Sequence, residues 1–273
     1  MRKVLFISVL CFFSLSVGAQ QKMSIWPNDV PGAVKPRQNP VVDLKSEKGV
    51  IYVRDVTNPT LEVYMPSRPN NMAVVVCPGG AYQFLAYDKE GIEIAKWLAK
   101  QGFTAYVLSY RVPNQRMGAL QDVQRSIRMV RESNKAITKV GVIGFSAGGS
   151  LSARAATRFN EKTYAAVDAA DQLSCRPDFA MLIYPAYLDE GTNFALTPEL
   201  TMSKDVPPIF IFATEDDPYS NSALVMAQAL RYNKTPVEFH FTAVGGHGYG
   251  LRAGAGKVWP KYAEKWLKET VIK

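Results

Sequence analysis

The sequence has few of the residues that hold metals or disulfide frameworks. Its 273 residues include only three cysteines and two histidines. Small folds that depend on disulfide bridges use more cysteines than this, and a zinc site would have few ligands to draw on. We therefore predict neither a metal site nor a cofactor. We interpret Cys77 and Cys175 as buried thiols rather than as a bridge.

Long apolar runs are scarce too, and the one that opens the chain is short. Arg2 and Lys3 precede an apolar run over 4–13, and small residues follow up to Ala19. A positive start, a short apolar core and small residues before a cleavage point are typical of a secretory signal peptide, and the core is too short to span a membrane. We predict a signal peptide over 1–19, no membrane contact after its cleavage, and a periplasmic or secreted protein.

Negative charge is in the minority, but the excess of positive charge is mild. The formal net charge is +8, and the lysines and arginines are scattered rather than grouped in blocks. No stripe of arginines interleaved with aromatic residues is present, so the sequence predicts no nucleic-acid partner. A mildly basic surface favours acidic surroundings such as polysaccharide.

Strand and helix patterns alternate along much of the chain. Alternation of this kind predicts an α/β fold, a mostly parallel central sheet of about eight strands with helices on both faces. Residues 20–273 have the length of one such domain, and we expect it to open with an extended arm up to about Pro40. The clearest strand runs are 73–77, 103–108 and 139–145, and helical spacing is found at 89–100 and 120–130.

Two finer expectations concern pairing and exposure. The β-forming runs 51–53 and 60–65 predict an antiparallel pair at the edge of the sheet. Arg125, Arg128 and Arg131 lie off the apolar face of their predicted helix, and a row of this kind is typical of a solvated helix face.

A serine between glycines follows the third strand, in Gly144-Phe145-Ser146-Ala147-Gly148-Gly149. A serine hydroxyl becomes an effective nucleophile when a base accepts its proton and the backbone projects it toward the substrate. A sharp strand-to-helix turn provides that projection, and the flanking glycines leave room for it. The motif predicts Ser146 as a nucleophile. A phosphate-binding loop is disfavoured, because no lysine follows the glycines.

The partners of this serine are predicted further along the chain, in the order acid and then histidine. His247 lies in a glycine-rich loop after a strand, whereas His240 lies inside that strand, so we predict His247 as the base. Three acids follow the strand 208–214, and one buried carboxylate is needed to orient the imidazole. We choose Asp217, with Asp216 as the alternative.

A second glycine turn, Pro78-Gly79-Gly80-Ala81-Tyr82, ends the buried strand 73–77. Backbone N–H groups of Gly80 and Ala81, together with that of Ala147, are predicted to form an oxyanion hole, in which one donor is worth roughly 2.7–4 kcal/mol. Tyr82 is a candidate substrate contact. Tyr187 is another, because the long loop 186–207 follows a strand that ends near this site.

With Ser146, Asp217 and His247 in that order, the chain resembles the α/β-hydrolase superfamily, and within it the secreted bacterial carbohydrate esterases of the acetyl xylan esterase and feruloyl esterase kind. The resemblance implies a serine esterase that cleaves acyl groups from plant hemicellulose through an acyl-enzyme. The usual Val-Pro after the catalytic aspartate is replaced around Ser220-Asn221, which leaves Asp216 and Asp217 both open. The motifs that carry the resemblance are Pro78-Gly79-Gly80-Ala81-Tyr82, Lys89-Glu90-Gly91, Gly144-Phe145-Ser146-Ala147-Gly148-Gly149 and Gly246-His247-Gly248-Tyr249-Gly250-Leu251.

Two other functions remain open. A serine peptidase is one, because the motif around Ser146 is also similar to that of prolyl oligopeptidases, although the chain has no room for their large gating domain. A noncatalytic sugar-binding protein on a hydrolase scaffold is the other, and an intact serine, acid and histidine argue against it.

Overall fold

The computed structural model describes residues 22–44, 46 and 49–273, so the predicted signal peptide lies outside the described residues. The strands are β1 (Lys22–Ser24), β2 (Val41–Asp43), β3 (Tyr52–Arg54), β4 (Thr60–Tyr64), β5 (Met72–Cys77), β6 (Leu85–Ala86), β7 (Thr104–Ser109), β8 (Lys139–Phe145), β9 (Ala180–Ile183), β10 (Ile209–Thr214) and β11 (Val237–Thr242). The α-helices are α1 (Glu93–Lys100), α2 (Arg116–Ser133), α3 (Ala147–Thr157), α4 (Asn221–Tyr232) and α5 (Trp259–Trp266).

Eight of these strands form the main sheet, in the order β1-β4-β7-β5-β8-β9-β10-β11. The pairs β1–β4 and β4–β7 are antiparallel and the remaining pairs are parallel. Strands β5, β7, β9 and β10 are buried along their whole length, as expected for parallel strands that are covered on both faces. The predicted α/β fold with a mostly parallel eight-stranded sheet is confirmed.

The predicted pairing of 51–53 with 60–65 is wrong. Strand β3 lies in a separate three-stranded sheet, between β2 and β6, whereas β4 pairs with β1 and β7 in the main sheet. The reason lies in the link between them. Val56 forms a bridge with Val112, and Asp55 before it has a positive φ of 50°, so the chain turns away and its two strands enter different sheets.

The row of arginines on α2 is not a solvated face, contrary to expectation. Arg125 is 2% exposed, and its guanidinium contacts the carboxylate of Asp171 at 3.1 Å. Arg128 donates a hydrogen bond to the hydroxyl of Tyr164 at 2.7 Å. Both partners belong to the segment 158–178, which covers this side of the helix and supplies the acceptors that water would otherwise provide.

The arm at the start of the described chain is tied to α2 by a buried ionic centre. Trp26 is fully buried, and its indole N–H donates to Oδ1 of Asp122 at 2.8 Å. Arg111 donates to the same carboxylate, with Nη2 2.9 Å from Oδ1, and the side chains of Arg111 and Asp122 are 2% and 0% exposed. The arm, the end of β7 and α2 therefore depend on one carboxylate.

Removal of the Asp122 carboxylate should destabilise the fold strongly. Asp122→Ala leaves the buried Arg111 guanidinium without its counter-charge, and we expect the free energy of unfolding to fall by about 3–5 kcal/mol. Urea denaturation measures this. As a control, Glu132→Ala changes an exposed carboxylate of the same helix and should alter stability by less than about 0.5 kcal/mol. Equal effects of the two substitutions would contradict the assignment.

Candidate active site

Ser146 lies on the sharp turn between β8 and α3, with φ 52° and ψ −119°. A non-glycine residue in this region is strained by about 1–3 kcal/mol. The neighbouring glycines are required by close backbone packing. A Cβ on Gly144 would lie 1.9 Å from the carbonyl oxygen of Gly148, and one on Gly148 would lie 2.0 Å from that of Cys77. The turn therefore has the geometry that the motif predicts, with Ser146 at its apex.

The structure brings the predicted acid, base and nucleophile together. His247 Nε2 lies 2.7 Å from Ser146 Oγ, and His247 Nδ1 lies 2.7 Å from Asp217 Oδ2. The side chain of Asp217 is fully buried, whereas that of His247 is 23% exposed. A buried carboxylate in this position fixes the imidazole ring and favours the tautomer with the proton on Nδ1.

The two adjacent acids have different tasks in this arrangement. Asp216 accepts hydrogen bonds from the N–H groups of Gly245 and Gly246, at 3.0 and 2.8 Å. These bonds lower the pKa of Asp216 below its ordinary value, so the carboxylate stays ionised at neutral pH. Asp216 thus holds the loop that carries His247, while Asp217 contacts the imidazole itself.

The other histidine and the cysteine nearest the turn play no part in this contact. His240 Nε2 lies 2.8 Å from Glu238 Oε1, and its ring stacks on Tyr262 with the centroids 4.0 Å apart. Burial raises the pKa of Cys77 to about 12, so its thiol stays protonated and inert. Cys77 and Cys175 are both free and buried, as the sequence predicts.

The predicted oxyanion turn lies beside Ser146. Gly80 and Ala81 have positive φ angles of 140° and 55°, and a Cβ on Gly80 would lie 1.9 Å from the carbonyl oxygen of Phe84. Both residues line the same cavity as Ser146. Ala147 is the first residue of α3, where backbone N–H groups have no partner within the helix. Gly80 and Ala81 thus share the cavity of Ser146, and Ala147 directly follows Ser146 in the chain.

The cavity over Ser146 has a volume of about 410 Å³. Two aromatic pairs belong to its lining. The rings of Tyr187 and Tyr219 meet edge to face with centroids 5.9 Å apart, and those of Tyr52 and Phe84 do the same at 4.7 Å. The lining residues are Tyr52, Gly80, Ala81, Phe84, Ala86, Lys89, Glu90, Ser146, Tyr187, Tyr219, His247 and Gly248.

The two predicted substrate contacts are placed differently. Tyr187 lines the cavity, but Tyr82 is only 2% exposed and its ring packs behind Tyr187, with centroids 6.3 Å apart. The guanidinium of Arg116 lies over both rings, 5.3 Å from that of Tyr82 and 5.1 Å from that of Tyr187. Tyr82 therefore supports the wall of the cavity, because its buried ring packs against that of Tyr187.

Sequence reasoning missed several aromatic residues of the site. Tyr219 packs on His247 with ring centroids 4.8 Å apart, and Tyr184 packs on it at 5.1 Å. The two rings restrict the movement of the imidazole. Their positions carry a usable signal, since Tyr219 follows Asp217 by two residues and Tyr184 directly follows β9. Tyr52 carries none, because it reaches the cavity from the smaller sheet.

Among the described residues, no group of three or more histidine, cysteine, aspartate or glutamate side chains is arranged to hold a metal ion. Within 22–44, 46 and 49–273, no helix has the length and apolar character needed to cross a membrane.

Comparison with known sequences relates this geometry to a family of enzymes. The BD-FAE family model matches residues 61–181, which include the oxyanion turn and the nucleophile turn. An acetylxylan esterase of Xylanibacter ruminicola is 27% identical over an alignment 254 residues long, which covers 82% of this chain and 49% of the relative. The chain thus spans about half the length of this curated relative.

Comparison with solved structures points the same way. An acetyl ester-xyloside bifunctional hydrolase from Caldicellulosiruptor lactoaceticus superposes with a TM-score of 0.72 and 28% identity, over 92% of this chain and 96% of that one. The enzyme MGS-M1, an α/β hydrolase from a Medee basin deep-sea metagenome library, gives a TM-score of 0.63 at 25% identity, over 85% and 98%. The sheet order, the nucleophile turn and these similarities show that the chain has the α/β-hydrolase fold and is similar to carbohydrate esterases.

Proposed function

We propose that the chain is a serine esterase that hydrolyses acetyl or feruloyl esters on hemicellulose such as xylan, through an acyl-enzyme intermediate. The observation that carries the proposal is the continuous set of contacts from Asp217 through His247 to Ser146, each 2.7 Å long. The substrate class is supported by the acetylxylan esterase and the acetyl ester-xyloside hydrolase among the relatives.

In the first half of the proposed reaction, Ser146 Oγ attacks the ester carbonyl carbon while His247 Nε2 takes the hydroxyl proton. Asp217 stabilises the resulting imidazolium. The carbonyl oxygen gains the electron pair of its double bond and is stabilised by backbone N–H groups of Gly80, Ala81 and Ala147. When the tetrahedral intermediate collapses, the ester oxygen of the sugar leaves with the proton from His247, and the acyl group stays on Ser146.

The second half repeats these steps with water in place of the serine. His247 takes one proton of a water molecule as its oxygen attacks the acyl carbon, and the same N–H groups stabilise the second oxyanion. The bond to Ser146 Oγ then breaks, and Oγ recovers the proton from His247. The products are a carboxylic acid and the free enzyme, so no metal or cofactor is required.

The cavity offers surfaces for both halves of such a substrate. Aromatic side chains such as Tyr187 and Tyr219 bind the apolar faces of sugar or hydroxycinnamoyl rings by stacking. We assign direct substrate contact to Tyr187 and an indirect role to Tyr82. Because the polysaccharide lies outside the cytoplasm, we also propose that 1–19 export the remaining single domain to the periplasm or the medium.

The nucleophile and base should fail as a unit. Ser146→Ala and His247→Ala should each lower kcat on p-nitrophenyl acetate by about 10⁴-fold or more, and the double variant should lose no more than the worse single variant. Steady-state kinetics measures this. Labelling by a fluorophosphonate should vanish in Ser146→Ala. Labelled, folded Ser146→Ala protein, or additive losses in the double variant, would refute the assignment.

The two acids should be separable by substitution with asparagine. Asp217→Asn exchanges the orienting carboxylate for an amide, and kcat should fall by about 10⁴-fold. Asp216→Asn keeps one acceptor for the loop, and the loss of a single exposed hydrogen bond should lower kcat by no more than about tenfold. The kcat of both variants is compared at neutral pH. A larger loss in Asp216→Asn would exchange the two roles.

Substrate selectivity should separate an esterase from a peptidase. Acetylated xylan, feruloylated arabinoxylan and aryl acetates should release acid, because the leaving oxygen of an ester departs readily after one proton transfer. Aminoacyl-proline amides should remain intact. Release of acetate or ferulate is measured by chromatography, with the Ser146→Ala protein as the blank. Cleavage of the amides at a comparable kcat/KM would favour the peptidase.

A further inference from the structure

A second buried carboxylate lies at the site, and the reaction as described does not use it. Glu90 is 3% exposed but lines the cavity together with Ser146 and His247. It belongs to the π-helical turn Asp88–Ile92 that leads into α1, and π-helical turns are frequent at functional sites. A buried carboxylate is costly unless its oxygens accept hydrogen bonds. Its partners therefore indicate its task.

One oxygen of Glu90 binds the oxyanion turn. Oε2 accepts a hydrogen bond from the N–H of Gly79 at 2.8 Å. Gly79 directly precedes Gly80, and a Cβ on Gly79 would lie 2.6 Å from this oxygen and 2.9 Å from Cβ of Ser146. The carboxylate thus fixes the peptide plane at the base of the oxyanion turn, at a point where the turn touches the nucleophile.

The other oxygen is linked through the side chain of Tyr184 to the loop 245–251, which carries His247 and is called the histidine loop below. Oε1 accepts from the hydroxyl of Tyr184 at 2.9 Å, and the same hydroxyl oxygen accepts from the N–H of Gly250 at 2.9 Å. Burial, followed by the nearby charge of Glu90, raises the pKa of Tyr184 well above its ordinary value, so the hydroxyl keeps its proton. The ring of Tyr184 also packs on that of His247.

A neighbouring residue on the π-helical turn binds the same loop. Lys89 donates from Nζ to the carbonyl oxygen of Gly248 at 2.7 Å, and a Cβ on Gly250 would lie 2.9 Å from its Cγ. The turn thus holds the histidine loop on both sides of Tyr249. Hydrogen bonds that hold the catalytic groups in position in this way support catalysis, although they lie away from the reacting atoms.

We propose that Glu90 is a positioning residue that sets the oxyanion turn and the histidine loop in register with each other, through Gly79 on one side and Tyr184 and Gly250 on the other. The inference rests on the proposed serine nucleophile. The oxyanion turn follows β5 and the histidine loop follows β11. Each carries groups that must face the same carbonyl group of the substrate. Glu90 joins them by two consecutive bonds on one side and one on the other.

The test compares Glu90→Gln with a matched control. The amide places an N–H group where one of the two donors needs an acceptor, so either Gly79 or Tyr184 loses its partner. We expect kcat on p-nitrophenyl acetate to fall about 10- to 100-fold, because a small misplacement of reacting groups slows catalysis to this extent. KM should change by less than about twofold. Tyr184→Phe removes the same link between Glu90 and Gly250. Added to Glu90→Gln, it should therefore cause no further loss of kcat.

The control is Glu264→Gln, which alters a carboxylate that accepts hydrogen bonds from Trp97 and Gln101 side chains at 3.0 and 2.9 Å. Its kcat should equal that of the unchanged protein. Rates are normalised to sites titrated by fluorophosphonate, and thermal melting is recorded for each variant. Unchanged kcat per titrated site in Glu90→Gln, even with a lower Tm, would overturn the proposal, because the bonds would then serve stability alone.

The same labelling separates this inference from the proposed function. If the unchanged protein is phosphonylated but hydrolyses no ester, the proposed substrate is wrong, and the labelling rates of Glu90→Gln and the control still decide the role of Glu90. If Glu90→Gln does not fold, Tyr184→Phe provides the measurement. A folded Tyr184→Phe protein with full activity, or failure of both variants to fold, would count against positioning.

Discussion

The site depends on the register of four neighbouring parallel strands. Phe145 of β8, Ile183 of β9, Phe212 of β10 and His240 of β11 lie in one row across the sheet. After each of these strands, the chain leaves the sheet at the same edge, within a few residues of that row. The nucleophile, the acid and the base lie on the segments that directly follow β8, β10 and β11 at this edge. Open α/β sheets hold their functional groups at this edge.

This register explains why the order of the motifs was predictable although their spacing was not. Ser146 comes one residue after the row, and its position is set by a turn so tight that only glycine fits two residues before and two residues after it. The motif is therefore visible in the sequence. Asp217 and His247 lie further beyond the row, on loops. Asp216 and Asp217 are distinguished by their partners, since Asp217 contacts His247 whereas Asp216 accepts from Gly245 and Gly246.

The features that the sequence did not disclose depend on contacts between distant segments. The pattern of β3 shows that it is a strand, but not that Val56 diverts the chain toward Val112. The spacing of the arginines on α2 predicts a solvated face, because it does not show that the segment 158–178 covers them. Tyr52 enters the cavity only because β3 joins the smaller sheet and packs on Phe84. Local spacing encodes elements, whereas these contacts arise from tertiary packing.

The strained nucleophile turn and the glycine-rich loop of His247 are held in place by different kinds of contact. The positive φ of Ser146 persists because its N–H binds the carbonyl of Ile183 and its carbonyl binds the N–H of Ala186, at 3.2 and 3.1 Å. The loop of His247, in contrast, has positive-φ glycines on both sides and few backbone bonds of its own. Its position must come from side chains that reach it from elsewhere. Asp216 holds one end of the loop, and Lys89 and Tyr184 hold the other, so rigidity is supplied where the glycines remove it.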